Sequence, residues 1–117
     1  MSLPAQPMPR PPAHVQPFVE ALGPDMAVTY LLTYGGAEVY LRKKPNERIP
    51  YVEVVGLEGA KALAERAARG WLPRRVPLAN AWLAAMLAWQ GQSASEIARR
   101  LRVTDVTARK LLKGWRG

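Results

Sequence analysis

The chain has 117 residues, with 17 Lys and Arg against 9 Asp and Glu and a formal net charge of +8, a length that suits one or two small domains and excludes a large enzyme scaffold. Cysteine is absent and the single histidine, His14, lies among prolines, which removes thiol catalysis, disulfides, Cys/His zinc sites and histidine-based acid–base triads. Apolar residues make up 49% of the sequence, enough for a packed core, but no unbroken apolar run approaches the roughly 20 residues of a membrane-spanning helix. With no basic-plus-apolar leader at its start, the chain is expected to be cytoplasmic, in a bacterial host cell on the reading below, and to need no membrane partner.

Residues 1–16 are rich in proline (Pro4, Pro7, Pro9, Pro11, Pro12), each of which removes a backbone donor and fixes φ, so this stretch is expected to be a flexible tail. The next stretch is duplicated. Pro17-Phe18-Val19-Glu20-Ala21-Leu22-Gly23 returns 33 positions later as Pro50-Tyr51-Val52-Glu53-Val54-Val55-Gly56, and both copies continue with Ala27 or Ala60 on a helical pattern. Glycine ends a short first helix and Pro24 suits the first position of the next, which predicts helices near 18–22, 24–34, 51–55 and 57–68. Each copy then reaches glycine and a short extended piece, Glu38 to Arg42 after Gly35-Gly36, and Trp71 to Arg75 after Gly70. Val39 and Leu41 alternate with Glu38, Tyr40 and Arg42, the period of a strand, while Pro73 confines the second piece to a sheet edge. Paired antiparallel, within one chain or between two, these pieces would satisfy each other's backbone groups. Residues 17–76 are therefore expected to be a helix–strand dimerisation region.

The charge is not spread evenly. Residues 1–65 hold 6 basic and 7 acidic side chains, whereas residues 66–117 hold 11 basic and 2 acidic. Such asymmetry suits a polyanion-binding module at the C-terminal end, because each Lys or Arg set on a phosphate releases condensed counterions.

Ala79 to Gln90 is apolar on nearly every side, the mark of a buried helix, and Gly91 stops it. Ser93-Ala94-Ser95-Glu96 then forms a capping box that opens a second helix at Ala94. Ile97, Ala98, Leu101 and Val103 face inward from this helix and its turn, and Thr104 caps a third helix with Ala108, Leu111 and Leu112 inward and an end at Gly114. This spacing resembles a DNA-binding helix-turn-helix over residues 77–117: small Ala98 lets two helices cross closely and Val103 plugs the turn. Arg102 stands where that motif commonly has glycine, so the turn either takes a left-handed arginine at a cost or shifts its geometry.

The outward residues of the third helix are Asp105, Val106, Arg109, Lys110 and Lys113, with Thr104 and Thr107 at its start; together with Ser93 they form the candidate contacts to double-stranded DNA. Arg109 can bond two acceptors of guanine, and Val106 or the Thr104 methyl can touch a thymine methyl. Lys110 and Lys113 lie further along, where phosphates run. Asp105 favours the positive end of the helix dipole, a cap-supporting role.

From the helix, the Gly35-Gly36 stop, the Tyr40-Leu41-x-Lys43 piece, the apolar helix and the helix-turn-helix, residues 17–115 resemble the Mor (middle operon regulator) transcription activators of Mu-like phages. The resemblance implies a mainly α fold with a small antiparallel β element, a homodimer, and activation of phage middle promoters together with host RNA polymerase. It implies, too, that Gly70-Trp71-Leu72-Pro73-Arg74 occupies the family's strand position, which puts Trp71 and Leu72 at the subunit junction and Tyr40 and Leu41 on the outer side of the same sheet, both pairs buried. The tandem repeat departs from the single unit of that family. Two rivals stay in view: a phage DNA-binding adaptor of small-terminase type, and a protein that binds a host regulator through its duplicated unit. Catalysis, a cofactor and a metal are not expected, since Glu20, Asp25, Glu38, Glu47, Glu53, Glu58 and Glu65 are dispersed and accompany no phosphate loop or nucleophile elbow.

Overall fold

A computed structural model describes residues 7–116. Among them the chain forms six helices: α1 (Gln16–Leu22), α2 (Pro24–Tyr34), α3 (Pro50–Ala68), α4 (Asn80–Trp89), α5 (Ala94–Leu101) and α6 (Asp105–Arg116). They fall into two compact units. Pro11–Leu78 contains α1 to α3, and Ala79 onward, joined by residues 7–10, contains α4 to α6.

In the first unit all three helices begin with proline in the first turn, where the missing N–H has no helical partner to lose and φ is already helical. The duplication is visible in the backbone. Gly23 has φ 81° and ψ 161°, and Gly56, 33 positions on, has φ 75° and ψ 168°. A side chain is disfavoured at such angles, so each glycine breaks the helix at the same point of the repeat; in the second copy the two pieces run on as the kinked α3. The buried positions repeat at the same interval: Phe18 with Tyr51, Ala27 with Ala60, Tyr30 with Leu63 and Leu31 with Ala64. Helix α1 packs on both α2 and α3. The rings of Phe18 and Tyr30 stack at 5.9 Å, and Tyr34 lies 5.4 Å from Tyr30. Burial, reinforced by Tyr34 and then Tyr51, pushes the Tyr30 hydroxyl well above the usual tyrosine pKa, so the ring stays neutral in this core.

The fold is mainly α as expected, but the small antiparallel β element is not formed. The two glycine-led pieces do meet antiparallel within the chain, at one bridge between Glu38 and Arg75. The Gly36 N–H donates to the Val76 carbonyl and the Val76 N–H to the Ala37 carbonyl. The Arg75 guanidinium donates to the Gly36 carbonyl at 2.7 Å and lies 3.5 Å from the Glu38 carboxylate. Beyond that point the pieces part for two reasons. Pro73 has no N–H to offer, and the Arg42 N–H donates to the Tyr51 hydroxyl at 3.0 Å, a bond to a helix side chain instead of to a neighbouring strand.

The proline-rich leader also differs from a flexible tail where it is described; residues 1–6 lie outside the described residues. Pro9 is buried, and its carbonyl accepts from the Trp82 indole N–H at 3.2 Å. Val15 is fully buried, and the Pro12 carbonyl accepts from both Val15 and Gln16. A buried indole N–H without an acceptor is costly, and a proline carbonyl is as good an acceptor as any other. His14 is exposed.

In the second unit, Trp82 to Leu87 of α4 are all buried, as a helix apolar on all sides requires. Helix α4 packs on α5 and α6, and α5 on α6. Ile97, Ala98, Ala108 and Leu112 are buried, while Leu101, Val103 and Leu111 are half-buried.

Candidate nucleic-acid interface

Two caps and a turn set the geometry of α5 and α6. The Ser93 hydroxyl accepts from the Glu96 N–H at 3.2 Å, and the Glu96 carboxylate accepts from the Ser93 N–H at 3.1 Å, so two amides that the helix leaves unpaired are satisfied at once. The Ser93 backbone N–H first, then its hydroxyl and the Arg99 charge, hold the Glu96 carboxyl below its ordinary pKa. At the other end of the turn the Thr104 hydroxyl oxygen accepts from the Thr107 N–H at 3.1 Å and donates to the Thr107 hydroxyl at 3.0 Å. Asp105 stands in the first turn of α6, where its charge favours the helix dipole.

Between these caps the chain turns at Arg102, with φ 58° and ψ 45°. Of the two geometries the sequence left open, the left-handed arginine is the one adopted. The Val103 N–H donates to the Ala98 carbonyl at 2.9 Å and the Arg102 N–H to the Arg99 carbonyl at 3.3 Å, the paired closing bonds of a left-handed helix end.

The expected contact residues fall into two groups. Val106, Arg109, Lys110 and Lys113 are exposed; at 3.6 residues per turn they share one stripe of α6 about 100° wide. Val106 is 58% exposed, notable for a β-branched apolar residue on a stripe whose other members are cations. Asp105 is exposed at the head of this stripe. Ser93, Thr104 and Thr107 are exposed too, but their hydroxyls are engaged in the caps, so their part is to fix where the helices begin. The sequence reading singles out Arg102 for its turn only, not as a contact, and does not name Arg99 or Arg100. All three are exposed, and their placement in the last turn of α5 and just beyond it was legible from the capping box and the spacing.

Among the described residues the three ion pairs are Lys61–Glu58, Arg69–Glu65 and Arg75–Glu38, all in the first unit. None engages Arg99, Arg100, Arg102, Arg109, Lys110 or Lys113. No group of three or more His, Cys, Asp or Glu among the described residues could hold a metal, and no helix of the described residues is long and apolar enough to cross a membrane.

The four residues expected at a subunit junction lie in the first unit; Tyr40, Leu41 and Leu72 line an open groove of about 510 Å³ together with Val39 and Pro73 among others, and Trp71 precedes Leu72 in the chain. Within the single chain Tyr40 is 82% exposed and Trp71 57% exposed; Leu41 and Leu72 are half-buried. The chain alone therefore buries neither aromatic ring, because the sheet that would have stacked them is reduced to one bridge. The Arg69 guanidinium sits 5.0 Å from the Trp71 ring centroid, a cation–π contact that covers part of one face.

Compared with known protein families, with characterised proteins and with solved structures, the chain matches none.

Proposed function

We propose that this chain is a sequence-specific DNA-binding transcription regulator of the bacterial cytoplasm, of the kind the Mor activators of Mu-like phages represent. In this reading α5, the Arg102 turn and α6 act as a helix-turn-helix, with α6 entering the major groove. The observation that carries it is the exposed stripe of α6: one apolar and three cationic side chains with no ion-pair partner among the described residues, on a helix whose opposite face is seated through Ala108 and Leu112. Arg109 is the base-reading residue and Val106 its apolar neighbour, while Lys110 and Lys113 run toward phosphates. Small residues at Ala98 and Ala108, both buried, suit the close crossing that such a pair of helices needs.

The chain acts as a homodimer in this proposal, with Tyr40, Leu41, Trp71 and Leu72 covered by the second copy. Two exposed aromatic rings, of which Tyr40 lines an open groove, are the kind of surface that a self-complementary partner covers. Two reading helices then face half-sites about one helical turn, roughly 34 Å, or a multiple apart. Host RNA polymerase is the partner through which an activator of this kind works, and no reaction, cofactor or metal is assigned to the chain.

Selection of bound sequences from a random duplex pool, with the mass of the protein measured in solution, tests the proposal. The expected result is an inverted-repeat site and a dimer. A pool that stays random would overturn sequence-specific reading, and rings larger than a dimer would favour a packaging adaptor instead.

A further inference from the structure

Three helices of this chain end in the same left-handed turn. At the end of α3 the Gly70 N–H donates to the Ala67 carbonyl and the Trp71 N–H to the Arg66 carbonyl; at the end of α4 Gly91 and Gln92 do the same to Ala88 and Leu87; at the end of α5 Arg102 and Val103 do the same to Arg99 and Ala98. The residue at the turn has φ 75° at Gly70, 99° at Gly91 and 58° at Arg102. A Cβ at Gly70 or Gly91 would meet nothing within 4 Å. Glycine is therefore favoured at those two sites by the backbone angle and not by space, and the same angle is met with an arginine at the third. The other left-handed residue that is not glycine, Ala79, opens a helix instead of closing one. An L-residue in this conformation is strained relative to glycine, so the turn itself gives no reason for the arginine.

The side chain supplies one. Arg102 is exposed, as are Arg99 and Arg100 before it, and no ion pair among the described residues holds Arg100 or Arg102. It stands two residues ahead of Thr104, the cap of α6. A duplex that received α6 in its major groove would bring the phosphates of the groove wall past the start of that helix. We propose that Arg102 is a backbone-phosphate clamp: a sequence-independent contact to duplex DNA, placed by a strained turn that fixes the chain just ahead of the reading helix. The inference rests on the DNA-binding reading above, and adds a residue and a role to it.

The test compares full-length wild type with Arg102→Gly, Arg102→Asn and Arg102→Lys, on a selected duplex and a random-sequence duplex, over a salt series. Arg102→Gly should raise the thermal midpoint by about 4 °C, because strain is relieved, and should weaken binding to both duplexes alike. Its plot of log affinity against log salt should become shallower by about one per chain. Arg102→Asn, whose side chain tolerates the left-handed region, should show the same loss of slope, and Arg102→Lys should keep the wild-type slope. Wild-type slope in both Arg102→Gly and Arg102→Asn overturns the clamp; if Arg109→Ala still relaxes base preference in the same assay, the DNA-binding reading survives that failure. Absence of any salt-dependent binding by wild type overturns the DNA-binding reading, and the clamp with it.

Discussion

The two units of this chain differ in whether any of their described cations is held in an ion pair. In Pro11–Leu78, Arg75 closes the meeting of the two glycine-led pieces by bonding the Gly36 carbonyl and facing Glu38, Arg69 pairs with Glu65 and covers Trp71, and Lys61 pairs with Glu58. In the unit of α4 to α6, Arg100, Arg102, Arg109, Lys110 and Lys113 are exposed with no ion pair among the described residues, and the side chains of Ser93, Glu96 and Thr104 serve helix ends. Exposed ion pairs contribute little to stability, so the contrast matters less for folding than for what each surface can receive. The first surface holds three of its cations in ion pairs, and none of the described cations of the second is so held, which leaves them open to a polyanion under the proposed function. Exposed aromatic rings are confined, among the described residues, to the first unit: Tyr40 and Trp71 are exposed while Phe18, Tyr30 and Tyr51 are buried, and in the second unit Trp82 is buried and Trp89 half-buried.

If the first unit is architecture, its interior should be far less tolerant than the stripe of α6. Leu63 is fully buried in α3, and Leu63→Ala should cost about 2–5 kcal/mol of folding stability through lost burial and the cavity left behind. Chemical denaturation checks this, with Lys110→Ala as the contrast, expected to change stability by less than about 0.5 kcal/mol. The proposed dimer is probed next. Trp71→Ala should weaken self-association by about 2 kcal/mol or more, read by sedimentation, whereas Tyr40→Ala should leave the folding stability of the chain nearly unchanged because its ring is mostly in solvent. A Trp71→Ala chain that stays dimeric would move the junction elsewhere.

Smaller effects probe the caps of the displaying unit. Thr104→Ala removes the acceptor for the Thr107 N–H and should destabilise by about 1 kcal/mol, with weaker DNA binding because the start of α6 frays. The smallest effect belongs to Glu96. Its pKa is lowered in the folded chain, so the stabilisation it contributes is fully present above the unfolded value of 4.5 and is lost as pH falls through the lower folded value. Thermal midpoints of wild type and Glu96→Ala should therefore differ at neutral pH and converge in acid. A gap that persists unchanged below that range would contradict the capping account.

Much of this was legible in the sequence because it depends on local rules. The breaks at Gly23 and Gly56, the helix begun at Ala94 by Ser93 and Glu96, and the buried α4 all follow from propensity, capping and periodicity. The failures are non-local. Val39 and Leu41 alternate as a strand does, but the strand is not made because a helix hydroxyl, Tyr51, takes the Arg42 N–H, a partner nine positions away that no pattern of alternation reveals. Pro9 looked like part of a free tail because proline blocks regular structure, yet its carbonyl remains an acceptor, and the Trp82 indole uses it. In the candidate interface, the stripe of Val106, Arg109, Lys110 and Lys113 is visible from spacing, and Arg102 stands out in the sequence as an arginine at a turn glycine's place, but which of its two turn geometries it takes needed its backbone angle.

The central claim, that the exposed stripe of α6 reads DNA sequence, is tested most directly by measuring the affinity of wild type, Arg109→Ala and Lys113→Ala for a selected and a random duplex across a salt series. Arg109→Ala should lose about 1–3 kcal/mol on the selected duplex and relax preference at one base position, while Lys113→Ala should weaken both duplexes alike and reduce the salt slope by about one. Equal losses on both duplexes for Arg109→Ala, or a wild type that does not distinguish them, would contradict the claim.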